Sequence, residues 1–476
     1  MRDDARRPQR MHDHSDETKA IVDLVLDYSR RRVLFEDVPL DKPLSPRELR
    51  RLVPPTVTED GIGATRALAV FENVLAPACL SVDNPSYVAF IPSAPSKAAI
   101  AFDLVVSASA VYGGSWLEGS GAVYAENEVL RTLAAEFGLP EGAGGVFVQG
   151  GTIGNLSALV AARDHARRAR EEAGLGRPEE WIVVCSDEAH SSIASAARVM
   201  DVRAIAAPAD AEGRLRADAV RPILDEHGDA VFAIVATAGS TNFGIVDDLE
   251  SLGELASERG VWLHVDGAYG LAAALAPEAR ERFRGLHRAD SLIVDPHKWL
   301  FAPFDACALL YRDPSIARAA HTQTAGYLDP LTEGTDWNPS DFSIQLTRRA
   351  RGLPLWFSMA TYGLGAYREA ISANLATARK VAAAVRERPW LTLVREPELS
   401  VVVFEREGWT AADYADWSAR LLEEQRAFVT PSSHRGRPCT RFAIVNPRTS
   451  AEELIGLLDT MAPEGGGETE AEGGAA

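Results

Sequence analysis

Ser291-Leu-Ile-Val-Asp-Pro-His-Lys298-Trp-Leu300 reads as a short apolar strand that runs into a His-Lys pair. The lysine is informative because lysine is scarce in this chain. Five of the 49 basic side chains are lysine (Lys19, Lys42, Lys97, Lys298 and Lys380), and the rest are arginine. Arginine keeps its proton at any working pH, whereas a partly desolvated lysine can lose one and then condense with a carbonyl. A lone His-Lys pair is more often a plain surface feature, so its weight depends on its surroundings. Short Val/Ile-rich runs at Gly145–Val148, Trp181–Cys185, Ala230–Ala236, Val261–Val265, Ser291–Val294 and Ala306–Tyr311 alternate with helical stretches such as Asn155–Ala173 and Asp247–Arg259. Buried parallel strands read as continuous apolar runs. The alternation therefore predicts an α/β domain with a mostly parallel central sheet and helices on both faces. In such sheets ligands bind beyond the carboxyl ends of the strands.

Outward from this region the chain changes character. Residues 19–84 read as an N-terminal arm: an amphipathic helix over Lys19–Arg31, a Pro-punctuated segment, and a second helix over Gly63–Leu75. It is too thin to hold a core and is expected to pack on something else, such as a second subunit. Residues 85–365 form the large domain. A long helix over Leu364–Arg388 leads into a smaller C-terminal α/β domain (366–462), with strands near Leu391–Val394, Leu399–Glu405 and Arg441–Val445 and a last helix from Ala451. Residues 1–18 and 463–476 read as solvated tails.

Composition excludes several classes. The 46% apolar and 25% charged fractions are those of an ordinary globular protein. The net charge of −19 argues against a nucleic-acid or anionic-membrane partner. No secretory signal or apolar run of membrane-spanning length is visible. The four cysteines are widely spaced and predict reduced thiols in a cytoplasmic protein; no metal site is expected.

The strand ends carry five features that suit a phosphate-bearing aldehyde cofactor. Gln149-Gly-Gly151-Thr152-Ile-Gly-Asn155 follows a strand and opens a helix, where glycines let backbone N–H groups approach a phosphate. Cys185-Ser-Asp-Glu-Ala-His190 offers an imidazole to stack on an aromatic ring and exchange protons. Leu263-His-Val-Asp266-Gly-Ala268-Tyr-Gly270 places an acid where a protonated pyridine nitrogen could neutralise it, with small residues to let the ring lie close. His297 and Lys298 form the fourth feature. Ala236-Thr-Ala-Gly-Ser-Thr241-Asn-Phe-Gly-Ile-Val-Asp247 supplies a hydroxyl and a second acid. Each has a dull explanation, such as a loop histidine or an aspartate capping a helix. Five in order at successive strand ends do not share one.

In order and spelling, the D-E-A-H-S-S, H-V-D-G-A-Y-G and D-P-H-K-W-L segments resemble the group II pyridoxal-phosphate decarboxylases, and the similarity extends over roughly residues 22–458. The resemblance implies a fold-type-I, aminotransferase-like large domain, pyridoxal 5'-phosphate as cofactor, and a homodimer with shared active sites and a swapped N-terminal arm. It implies Lys298 as the Schiff-base lysine, Asp266 at the ring nitrogen and His190 on the ring. Gly151, Thr152 and His297 would lie around the phosphate with Ser291 beside them. Thr241, Asp247 and Ala268 would support the ring. Phe90, Pro92, Ser93 and Trp116 would line the substrate pocket, and Arg441 would receive the substrate carboxylate. The family's mobile loop carries a tyrosine as proton donor. Counting back from Leu346-Thr-Arg-Arg349 no tyrosine is found, and Tyr327 aligns with an earlier position. The expected reaction is decarboxylation of an L-amino acid, aromatic or bulky and apolar because Ala89-Phe90 replaces a polar pair. An aldehyde synthase or other pyridoxal reaction stays open through the missing tyrosine, as does a non-catalytic scaffold.

Overall fold

The computed structural model describes residues 10–323 and 337–463. Its large sheet contains β1 (Gly144–Val148), β2 (Ile182–Ser186), β3 (Arg203–Ala207), β4 (Val231–Thr237), β5 (Trp262–Asp266), β6 (Ser291–Val294) and β7 (Cys307–Tyr311), in the order β1-β7-β6-β5-β4-β2-β3. The run from β6 to β3 is parallel throughout. β7 alone runs against its neighbours β1 and β6. The sheet is therefore mostly parallel, as the unbroken apolar runs require. Alternate side chains feed two cores: Val184, Ile234, Leu263 and Leu292 pack on one face, and Val183, Val235, Trp262 and Ile293 on the other. The expected strands lie within one residue of those observed. β3 was not anticipated; it is the edge strand and mostly exposed.

The second sheet is antiparallel, β10-β11-β9-β8, built from β8 (Leu391–Leu393), β9 (Val401–Arg406), β10 (Pro431–His434) and β11 (Arg437–Ala443). Arg435 and Gly436 join β10 to β11 with φ of 49° and 77°. Such left-handed pairs make tight hairpins, and this one extends β11 four residues upstream of the expected start at Arg441. Helices Ala411–Glu423 and Ala451–Asp459 complete a core around Phe404, Trp417, Phe442 and Leu454.

The helix Leu353–Arg386 links the two sheets and breaks at Gly363, whose φ of 72° and ψ of 162° are not helical. Its Asn374 accepts from Trp299 Nε1 at 2.8 Å and donates to the Asn446 carbonyl at 2.9 Å, tying the segment after β6 to the C-terminal part. Helices Asp16–Val33, Pro46–Leu52 and Ala64–Val70 bury none of their residues. They are held by contacts such as Arg32–Asp83 at 2.8 Å and Tyr28 edge-on to Phe71 at 5.8 Å. Among the described residues no helix is long and apolar enough to cross a membrane.

Candidate active site

Five strand ends deliver side chains to one cavity of about 250 Å³. The turn after β1 contributes Gly150, Gly151, Thr152 and Asn155, and the turn after β2 contributes His190 and Ser192. Thr237, Gly239 and Thr241 come from β4; Asp266, Ala268 and Tyr269 from β5; Asp295, His297 and Lys298 from β6. A larger cavity of about 510 Å³ lies elsewhere, between Asp187, Arg395 and His434. Size does not select the site; the chemistry converging on the smaller cavity does.

Lys298 Nζ lies 3.0 Å from Asp295 Oδ2. Burial pulls the ammonium pKa down, but the nearby Asp295 and Asp266 carboxylates outweigh it and the net shift is upward. His297 Nε2 is 3.7 Å from the same Asp295 oxygen, and burial lowers its pKa despite that acid. Opposite them the helix Gly151–Glu172 starts at Gly150 with no side-chain cap, so its N-terminus is open to the cavity. A Cβ on Gly151 would sit 3.2 Å from Asp295 Oδ2 and 3.3 Å from the Ala268 methyl, a tight fit that glycine relieves.

Asp266 ends β5. Its Oδ1 accepts from the Ala268 N–H at 3.1 Å and its Oδ2 from Asn155 Nδ2 at 2.8 Å. His190 caps the helix Ser191–Met200, its Nδ1 accepting from the Ser192 N–H at 3.2 Å. The imidazole is thereby clamped at the cavity wall through one nitrogen.

Two expected cofactor residues, Ser291 and Asp247, do not line this cavity. Ser291 opens β6 at the end of the strand away from Lys298, where its Oγ bonds Trp262 Nε1 and His264 Nδ1 at 2.8 Å each. Asp247 accepts from the Leu215 and Thr237 N–H groups at 2.8 and 2.7 Å, bracing the backbone behind Thr237 and not lining the cavity. Burial pushes its carboxyl up to about 7 although the backbone bonds favour the charged form. The expected substrate residues also stand outside this cavity. Phe90 is 56% exposed; Pro92 and Ser93 are buried; Trp116 begins the helix Trp116–Glu136. Arg441 is buried on β11 and donates to the Phe90 carbonyl at 2.9 Å. Tyr327 and the first part of the loop lie outside the described residues; from Trp337 to Arg349 there is no tyrosine.

Reading the sequence missed Asp295, Asn155, Ser192, Thr237 and Tyr269. All five lay inside the quoted motifs, but nothing in spacing alone separates a cavity-lining aspartate from a strand-end cap. The cavity fits pyridoxal phosphate on its own terms. It offers a lysine for the aldehyde, a carboxylate facing it and an uncapped helix N-terminus for the phosphate. It also holds buried Thr237 Oγ1 and Asp295 Oδ1, which find no hydrogen-bond partner among the described residues.

Residues 46–407 match the family model described as the pyridoxal-dependent decarboxylase conserved domain. The chain belongs to this family. It is a pyridoxal-phosphate-dependent amino-acid decarboxylase, a carboxy-lyase. It is 29% identical over 458 residues to the aromatic-L-amino-acid decarboxylase of Bacillus atrophaeus, spanning 92% of each chain. It is 31% identical over 416 residues to the L-2,4-diaminobutyrate decarboxylase of Rhizobium meliloti, spanning 85% of this chain and 82% of the relative. The crystal structure of Oryza sativa TDC with PLP and tryptamine superposes with a TM-score of 0.84 at 26% identity, covering 94% of this chain and 97% of that one.

Proposed function

We propose that the decarboxylase acts on an L-amino acid with an aromatic or bulky apolar side chain. The observation that carries this reading is the setting of Arg441. It is a buried guanidinium bonded to the Phe90 carbonyl, and the Phe90 ring adjoins Phe428 at 6.1 Å, which in turn meets Tyr87 edge-on at 5.0 Å. A planar fork for a carboxylate beside aromatic rings suits such a substrate. Relatives named for aromatic amino acids agree with it, whereas the relative named for diaminobutyrate is as similar.

Pyridoxal phosphate, when bound, supplies the carbonyl that takes up the amino group and the electron sink for the pair left by departing CO₂. Lys298 would hold it covalently. Gly151, Thr152 and His297 would take its phosphate, and Asp266 would pair with the ring nitrogen. His190, Thr241 and Ala268 would lie beside the ring, and Arg441 would bind and orient the substrate carboxylate. With no tyrosine in residues 337–349, His190 at the cavity wall would return a proton to the substrate carbon.

The working unit is a homodimer. The arm helices expose Ile21, Val22, Val25, Leu26, Phe71 and Leu75, an apolar surface that a second subunit would cover. A panel of L-amino acids with identification of products tests the substrate class. Equal yields of CO₂ and amine from aromatic substrates are expected; turnover confined to acidic or diamino substrates overturns it. The missing tyrosine favours one competing outcome, oxygen-dependent conversion to an aldehyde, which peroxide and aldehyde assays in the same panel would reveal.

A further inference from the structure

A file of buried polar side chains runs behind Asp266, and its donors all point one way. The Trp262 indole N–H can only donate, and it lies 2.8 Å from Ser291 Oγ. Ser291 Oγ is 2.8 Å from His264 Nδ1, and His264 Nε2 is 2.8 Å from Asn155 Oδ1. Asn155 Nδ2 reaches both Asp266 Oδ2 at 2.8 Å and Ser192 Oγ at 2.9 Å, and Ser192 Oγ is 2.9 Å from His190 Nδ1.

The protons follow from these partners. Asn155 commits its N–H groups to Asp266 and Ser192, so its carbonyl accepts from His264 and the proton of that ring sits on Nε2. Nδ1 is then bare and accepts from the Ser291 hydroxyl, whose oxygen accepts from Trp262. At the other end the Ser192 backbone N–H requires a bare Nδ1 on His190, so the His190 proton sits on Nε2, the nitrogen that the helix does not use. Asn155 and His264 are fully buried, and Ser291 is 1% exposed, so any link left unmade would strand a desolvated polar group. Burial also brings the His264 pKa down to about 4 although Asp266 opposes this, in keeping with a single ring proton.

We propose that Trp262, Ser291, His264 and Asn155 form a positioning relay that aims the Asp266 carboxylate and, through Ser192, fixes the tautomer of His190, so that one buried network sets both groups that face the cofactor ring. This rests on the roles of Asp266 and His190 given above. It also gives Ser291 a place in the site from the far end of its strand.

The test is Ser291→Ala, which removes one oxygen three hydrogen bonds from Asp266. Nitrogen-15 NMR of histidine-labelled protein without added cofactor, assigned against His264→Gln and His190→Gln, reads both tautomers. Wild type is expected to show protonated Nε2 at both residues. The variant is expected to mix tautomers at His264 and to shift the His190 signal. Its affinity for pyridoxal phosphate should fall about tenfold, the scale on which partners behind a site residue act, and kcat should fall more than KM changes. Trp262→Phe breaks the first link and serves should Ser291→Ala prove unstable. Wild-type tautomers, cofactor affinity and kcat in a folded Ser291→Ala or Trp262→Phe would reduce the file to core packing and overturn the relay. Asp266→Ala separates the two readings: if it keeps wild-type cofactor affinity and turnover, it is the assignment of Asp266 that fails.

Discussion

Lys298 sits where burial and charge pull against each other, and Asp295 decides the balance. A lysine attacks a carbonyl only after losing its proton, and the Asp295 oxygen 3.0 Å away holds that proton on. Replacing the carboxylate by an amide removes the attraction while nearly preserving shape. Asp295→Asn should therefore lower the Lys298 pKa and move the half-point of pyridoxal-phosphate uptake by the apoprotein to lower pH. Uptake rates measured across pH check this; an unmoved half-point would take Asp295 out of the role. Lys298→Ala should retain the fold but yield no covalent adduct with the cofactor after borohydride reduction. An adduct in that variant would place the Schiff base on another residue.

At the scale of elements, the strand ends were legible because the strands between them are buried on both faces. Ser291–Val294 and Val231–Thr237 bury every residue, and no alternation obscures such runs. β3 escaped because as an edge strand it exposes most of Arg203–Ala207, and β10 because Pro-Ser-Ser-His has little apolar signal. The same logic explains which site residues were readable. Lys298, Asp266 and His190 stand out by chemical type at strand ends, whereas the work of Asn155 and His264 comes from what they touch across the sheet. Asp247 shows the converse: an acid in the right motif whose oxygens are spent on backbone. An amide at 247 would keep one acceptor and turn N–H toward N–H at the other, so Asp247→Asn should cost about 1–3 kcal/mol of stability. The pH dependence has a definite sign. The folded-state pKa of Asp247, about 7, lies above the unfolded value of about 3.9, so between these the folded state binds the extra proton and stability falls as pH rises. The advantage of wild type over Asp247→Asn should therefore shrink from about pH 4 to about pH 7. Denaturant midpoints at several pH values measure it, and an advantage that stays level over this window would mean that the carboxyl is charged throughout.

The N-terminal face of the molecule carries exposed apolar side chains. The helix Asp16–Val33 buries no side chain and presents Val22, Val25 and Leu26 at 48%, 44% and 51% exposure. Further apolar side chains are exposed on the helix Trp116–Glu136, with Leu117 at 69% and Tyr124 at 60%. Two such faces brought together by a two-fold axis would bury one another, since a self-complementary patch needs only one copy of its own sequence. Val22 and Leu26 are four residues apart, so they share one side of the helix. The paired substitution Val22→Glu with Leu26→Glu puts two carboxylates into that contact without disturbing any residue buried within the chain. Wild type should sediment as a dimer. The double variant should sediment as a monomer with unchanged secondary structure and a large loss of kcat, because the arm and the site would both be left without the neighbouring subunit. A monomeric wild-type protein with full activity would remove the dimer from the functional reading. A double variant that is monomeric yet fully active would show that each site is complete within one chain.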